Sequence, residues 1–396
     1  MCSATAGSLR AEAAAGTGLG AALPQHARNA VGCWLYSSAA AVLIMVGIGG
    51  VTRLTRSGLS MTEWKFTGEH WPVSQEEWDA EFAKYKASPE YQRVNKGMSE
   101  ADFRFIYGVE YFHRMFGRAI GVVFVAPALF FAAKGWLRGP LAARVGLLFA
   151  AGGAQGLVGW WMVRSGLQEP SKAWEVPRVS PYRLAAHLTS AFAIFGGLLW
   201  TALSVGYPSG TAAGASATAQ QAAASLRRWA LPVTALVALT ACSGAFVAGL
   251  DAGHAYNTFP TMNGRWVPEE YWAAPGWRNA FESTAAVQLH HRALALSTLA
   301  AVAALWAGHA RAPLPPRARA CLHYLLAATC AQVALGIATL LACVPPTLGS
   351  LHQLNAMNLL AASIVLLHAL RRAPAAAGAR RALWTAANGP VRAATA

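Results

Sequence analysis

The sequence predicts an all-α integral membrane protein whose eight transmembrane helices form two pseudo-repeated four-helix bundles. Three observations predict it. The chain of 396 residues is 55% hydrophobic and only 12% charged, about half the charge of a soluble domain. Eight apolar runs reach the roughly 20 residues that a helix needs to cross a bilayer. The two halves also carry the same short strings in the same order.

The runs cover 31–53, 111–133, 141–164, 182–206, 228–250, 286–308, 318–342 and 349–370. Short Gly/Pro/Arg-rich linkers separate most of them, and only the connections at 54–110 and 251–285 are long enough to hold structure of their own. The net charge of +15 does not point to nucleic acid, because the basic residues collect in short loops and tails. Lys134, Arg138 and Arg144, then Arg227 and Arg228, then Arg311, Arg317 and Arg319 share one side with Arg371, Arg372, Arg380 and Arg381. On the other side the 343–348 loop has no Lys or Arg, and Lys172 and Arg178 are offset by Glu169 and Glu175. By the positive-inside rule both termini face the cytoplasm or the mitochondrial matrix. None of the six cysteines forms a CxxC pair, so neither a zinc ribbon nor a disulfide framework is supported.

Five segments follow. Residues 1–30 are an Ala/Gly-rich tail with Arg10, Arg28 and the single acid Glu12, compatible with an organellar transit-peptide remnant or a plain disordered tail. Residues 31–206 and 228–370 are the two four-helix halves. Residues 207–227 are low in complexity and read as a linker, and 371–396 form a basic tail.

The repeat rests on three matches. His113-Arg114 recurs as His291-Arg292, Ala154-Gln155 followed by Gly159 recurs as Ala331-Gln332 followed by Gly336, and His187-Leu188 has its counterpart in Leu351-His352. The separations are 178, 177 and 165 residues, the last shortened where loop 166–181 shrinks to 343–348. The first and fifth helices match weakly, through Val51/Leu54 and Val247/Leu250.

His113, His187, His291 and His352 fall near the starts of even-numbered runs, which all run the same way. All four therefore lie at the outer side of the membrane, two per half. Ionisable groups at membrane depth are costly and usually functional. Paired imidazoles on facing helices suit a b-type haem; water-satisfied helix-end histidines are the bland alternative, and no Cys or acidic cluster completes a zinc site. His290 sits about 100° from His291 on a helix, and the repeat selects His291. His309, His323 and His368 read as interfacial residues at the inner ends. Arg114 and Arg292, with Arg118 a turn on, are candidates for haem propionates or simple helix-end charges. Glu110 shares a helix face with His113 and is a candidate proton relay, a ligand-orienting group or a partner for Arg114. Its counterpart is Gln288, so the halves differ there: the extra carboxylate suggests chemistry, its absence a resident cofactor.

Five strings then carry a resemblance that runs from about residue 31 to 370: GGVTRLTRSGLSMTEWKFTG (49–68), EFAKYKASPEY (81–91), IYGVEYFHRMFGRAIG (106–121), GAFVAGLDAGHAYNTFPTMNGRWVP (244–268) and VQLHHRALA (287–295). The chain resembles the haem A synthase family, in the form shared by mitochondria and alphaproteobacteria. The resemblance implies oxidation of the ring-position-8 methyl of haem O to a formyl, giving haem A for cytochrome oxidase. It implies substrate haem near His113 and His187, resident haem b between His291 and His352, and an essential role for Glu110 of EYxHR. It implies haem O synthase as the supplier, an electron donor it does not identify, and a mitochondrial inner or bacterial plasma membrane; a homo-oligomer stays open. Residues 54–110 lack the cysteine pair of some bacterial members, so no thiol-based step is supported, and the usual TEWKP reads TEWKF at Phe66. A b-type electron-transfer subunit oxidising quinol, or a haem carrier without chemistry, are the competing readings.

Overall fold

A computed structural model describes residues 19–170, 176–207 and 216–371. Most of the N-terminal tail, Lys172 and Glu175, part of the linker and nearly all of the basic tail lie outside the described residues. The α-helices are α1 (Gln25–Leu54), α2 (Gln75–Lys86), α3 (Pro89–Arg93), α4 (Glu100–Ala133), α5 (Gly139–Gly166), α6 (Pro181–Gly206), α7 (Ala217–Gly249), α8 (Asn279–Glu282), α9 (Thr284–His309), α10 (Pro316–Leu341) and α11 (Pro346–Ala369). Eight of these are long. Seven are long and apolar enough to cross a membrane; α9, which carries Gln288, His290, His291 and Arg292, is not among them.

Two expected boundaries are corrected. Helix α4 begins eleven residues before the run expected at 111, because Ser99 caps it through Asp102 N and the first turn carries Glu100 and Asp102, which favour a helix N-terminus. His113 is thus several turns inside the helix. The linker expected over 207–227 ends early: α7 starts at Ala217, capped by Ser216 through Ala219 N, and its Ala/Gln-rich sequence has high intrinsic helix propensity.

The long helices close two rings. In the first, α1 packs on α4 and α6, and α5 on α4 and α6; in the second, α7 packs on α9 and α11, and α10 on α9 and α11. Between the rings α1 meets α11, α6 meets α7, and α6 meets α11. Small residues permit this close approach, as in membrane helix pairs generally. A Cβ on Gly349 would sit 2.7 Å from Leu54 Cδ1, and one on Gly249 2.9 Å from Pro181. Gln353 Nε2 donates to Val46 O at 2.8 Å across the same seam. At its outer end Arg53 bonds Ala248 O and Asp251 Oδ1, each at 2.7 Å. The apolar core runs through both rings, from Leu35, Phe124 and Phe192 to Leu226, Leu322 and Leu366, mostly to one side of the four histidines.

The 54–110 connection builds a second, smaller core with the first turns of α4. Trp78, Phe82 and Tyr85 of α2 pack on Phe103, Ile106 and Tyr107 of the extended α4, with Phe82 and Phe103 stacked at 4.7 Å. Glu90 of α3 is buried in this lobe. Burial raises its pKa from the ordinary 4.5 to about 7, against the opposing pull of Arg56 and Arg53. A raised carboxylate pKa means that the folded state holds the proton more tightly, so this contribution to stability is present below pH 4.5 and is lost as pH rises to about 7. Glu90→Gln is therefore expected to leave thermal stability nearly unchanged at pH 5 and raise it by several degrees at pH 8. Equal shifts at both pH values would contradict a buried ionisation.

Candidate haem sites

Each of the four histidines lies against a glycine of a neighbouring helix in its own ring. His113 of α4 faces Gly49 of α1, His187 of α6 faces Gly159 of α5, His291 of α9 faces Gly244 of α7, and His352 of α11 faces Gly336 of α10. A Cβ at these glycines would lie 3.2, 2.9, 3.1 and 2.9 Å from the respective imidazole Cε1. Any larger residue would push the ring out of its seat, so the four glycines fix how deeply each ring recesses.

Polar side chains restrain the rings. Gln155 Nε2 lies 3.2 Å from His187 Nδ1 and donates to His187 O at 2.7 Å. Gln332 repeats this at His352, at 3.2 Å and 3.1 Å. The residue one turn after each histidine in turn bonds the carboxamide oxygen: Ser190 Oγ bonds Gln155 Oε1, and Asn355 Nδ2 bonds Gln332 Oε1. Ser243 Oγ lies 2.7 Å from His291 Nδ1. His113 Nδ1 is buried with no partner, an unsatisfied state that is costly unless something else engages the ring.

The ring centres of His291 and His352 are 6.5 Å apart, with the planes at 85°. A metal–imidazole bond of about 2 Å on each side, plus half of each ring, needs roughly 6 Å. The gap is therefore of a size that would admit one metal ion held by both imidazoles. His113 and His187 lie within electrostatic range of each other. His290 is turned away and bonds Tyr271 Oη at 2.8 Å. The inner-end histidines have local partners: His309 meets Ser225, His323 accepts from Trp306 Nε1, and His368 meets Ser204.

Glu110 is buried. It accepts from Ser60 Oγ at 2.7 Å, Met61 N at 2.8 Å, and Arg114 Nε and Nη2 at 3.1 and 2.7 Å. Arg114 also donates to Glu63 O and Met61 O at 2.6 and 2.8 Å, and Arg118 grips Lys65 O and Phe66 O. At one-turn spacing these three side chains hold segment Ser60–Phe66 along α4. In the second ring Gln288 accepts from Arg292 Nη2 at 2.8 Å, while its own amide donates to Ala252 O. Arg292 bonds Tyr256 O at 2.8 Å and Pro260 O and Thr261 O at 3.3 Å. Both arginines, expected at propionates, thus spend their donors on loop carbonyls and on Glu110 or Gln288; Arg292 Nε, buried and without a partner, is the exception.

Known proteins are similar to this chain in sequence. The sequence model of COX15-CtaA, described as a cytochrome oxidase assembly protein, matches residues 32–364. The chain belongs to the COX15-CtaA family. A COX15-CtaA relative from Arabidopsis thaliana named "Heme A synthase COX15" is 53% identical over 348 residues, 88% of this chain and 76% of its own. The Homo sapiens protein of the same name is 45% identical, over 88% of this chain and 84% of its own. The "Heme A synthase" of Rhodospirillum centenum is 45% identical over 92% of this chain and 93% of its own. The all-helical membrane architecture expected from the sequence is the one observed, with seven of the eight expected spans apolar enough to cross a bilayer.

Sequence reasoning found the histidines and Glu110 but missed the ring seats Gly49 and Gly244, the Ser243 contact and the loop anchors Ser60 and Met61 N. Gly159 and Gly336 stood out only as markers of the repeat. Gly49 and Gly244 carried no such marker.

Proposed function

We propose that this chain is a haem A synthase, oxidising the C8 methyl of haem O to the formyl of haem A. The carrying observation is a duplicated construction with one chemical difference. Both rings offer two glycine-seated histidines and an arginine clamp on the outer loop, but the first has Glu110 where the second has Gln288.

Residues 31–206 then form the substrate half and 228–370 the cofactor half, with α9 as the eighth span. His291 and His352 hold haem b, which when bound supplies electrons to the substrate half. His113 and His187 hold haem O, the otherwise unpartnered His113 Nδ1 belonging to a ring engaged by substrate. Two oxygenations of the methyl, each using one O2, two electrons and two protons and releasing one water, give a gem-diol that loses water to the formyl. Glu110, in α4 one turn from His113, holds Ser60 and Met61 over the site and is the carboxylate placed to handle those protons. The outer loop excludes bulk water from the same space. We place the protein in the mitochondrial inner membrane with both termini in the matrix, fed by haem O synthase.

Co-expression with haem O synthase in a host that makes no haem A tests the proposal. Haem A or its hydroxylated precursor is expected in the extracted pigments, and withdrawal of oxygen should leave haem O. Unchanged haem O under air would contradict it.

A further inference from the structure

With Arg114 committed to Glu110 and the loop, the substrate half needs another cation for the carboxylates of its ligand. Arg164 is placed to be that cation. It lies on α5 five residues beyond Gly159, the seat of His187, a rise of about 7.5 Å toward the outer side. It opens with Trp64, Trp160, Thr62 and Arg114 into a pocket of about 260 Å³. Its guanidinium lies 5.5 Å from the centre of the Trp160 ring. Among the described residues it makes no hydrogen bond or ion pair.

Among the described residues no carboxylate pairs with it; Glu169, five residues on, is bound to Arg93 at 2.8 Å. Glu110 is paired with Arg114 at 2.7 Å. Glu63, on the pocket wall, is paired with Lys84 at 3.1 Å and Lys65 at 4.0 Å. Arg183, at the outer end of α6, is already bound to Trp161 O at 2.8 Å and stacked on that ring at 4.5 Å. The pocket therefore combines two indole walls with one uncompensated guanidinium beside the helix of His113. A carboxylate on an apolar aromatic body matches that chemistry, because the exposed Arg164 guanidinium offers donors for a charge-assisted bond while the half-exposed Trp64 and Trp160 rings can cover the apolar body. The feature follows the substrate half and not the repeat: with the 177-residue separation of Gln155 and Gln332, the position of Arg164 is Leu341 in the second ring.

We propose that this pocket receives a propionate carboxylate of the substrate haem, with Arg164 as its counter-ion. The assignment rests on the reading of the first ring as the substrate half. Arg164 is a binding residue; it orients the macrocycle so that its methyl faces the Glu110 side.

The test titrates the purified full-length protein with haem O and with haem O dimethyl ester, whose propionates carry no charge, following the Soret band. Arg164→Ala is expected to weaken haem O binding about tenfold, Arg164→Lys to recover part of the loss, and the ester to bind both proteins alike. Haem b content should not change. Undiminished haem O affinity in Arg164→Ala would overturn the proposal, as would an equal loss for haem O and its ester, which would assign Arg164 to packing. A variant that loses only its affinity for vesicles of anionic phospholipid would assign it to the lipid surface and overturn the proposal equally. His113→Ala and His187→Ala separate the two levels. If they bind haem O normally, the substrate half itself is misassigned; if they lose it while Arg164→Ala does not, only the pocket is.

Discussion

Purified His291→Ala and His352→Ala proteins are expected to lose haem b by at least about tenfold, since even groups behind a metal ligand are worth ten- to hundredfold in occupancy. The two imidazoles face each other at 6.5 Å, and each is seated against a glycine that leaves room for nothing larger. Removing either ring would take away one of the two imidazoles that would hold the haem. Because the apolar core lies mostly to one side of these histidines, the fold should survive, and circular dichroism should stay helical. Full haem b in either variant would overturn the assignment of that pair.

Glu110→Gln is expected to keep both haem types while haem A falls by about a hundredfold or more, the scale of a lost proton-transfer group, with haem O or a hydroxylated intermediate accumulating. The second ring shows why Gln is the informative change. There a carboxamide accepts from Arg292 at 2.8 Å, so the clamp itself tolerates an amide. It cannot reproduce everything, because Glu110 accepts from both Met61 N and Arg114, whereas an amide facing Met61 N with its NH2 would leave that donor unpaired, a cost of about 1–3 kcal/mol. Glu110→Ala is less clean, since it removes the acceptor of Ser60 Oγ and Met61 N as well as the carboxylate partner of Arg114 and would loosen segment Ser60–Phe66. If Glu110→Gln makes haem A at the wild-type rate, Glu110 is a clamp and not a proton-handling group.

Much of this was legible in the residues. The long apolar runs specify the helices, and matched strings placed His113 with His291 and His187 with His352. Less was legible where partners lie across space. Gly49 and Gly244 are 195 residues apart, out of step with the 178 separating their histidines, so the repeat did not align them. The clamp of Arg114 and Arg292 depends on loop carbonyls, which every residue carries and no residue type announces. The start of α7 was misread because an Ala/Gln/Ser string is compositionally a linker yet energetically a good helix. The polar strip of α9, Gln288 to Arg292, lowers its apolarity for the same reason that it is interesting: it faces a site and a loop, not lipid.

The central claim is that two similar histidine pairs serve unequal haems. Pigment extraction from purified wild-type, His113→Ala, His187→Ala, His291→Ala and His352→Ala proteins tests it most directly. The account predicts haem b together with haem O or haem A in the wild type, loss of the farnesylated pigments alone from the first two variants, and loss of haem b from the last two. Two equivalents of haem b per chain in the wild type, falling alike in all four variants, would contradict it.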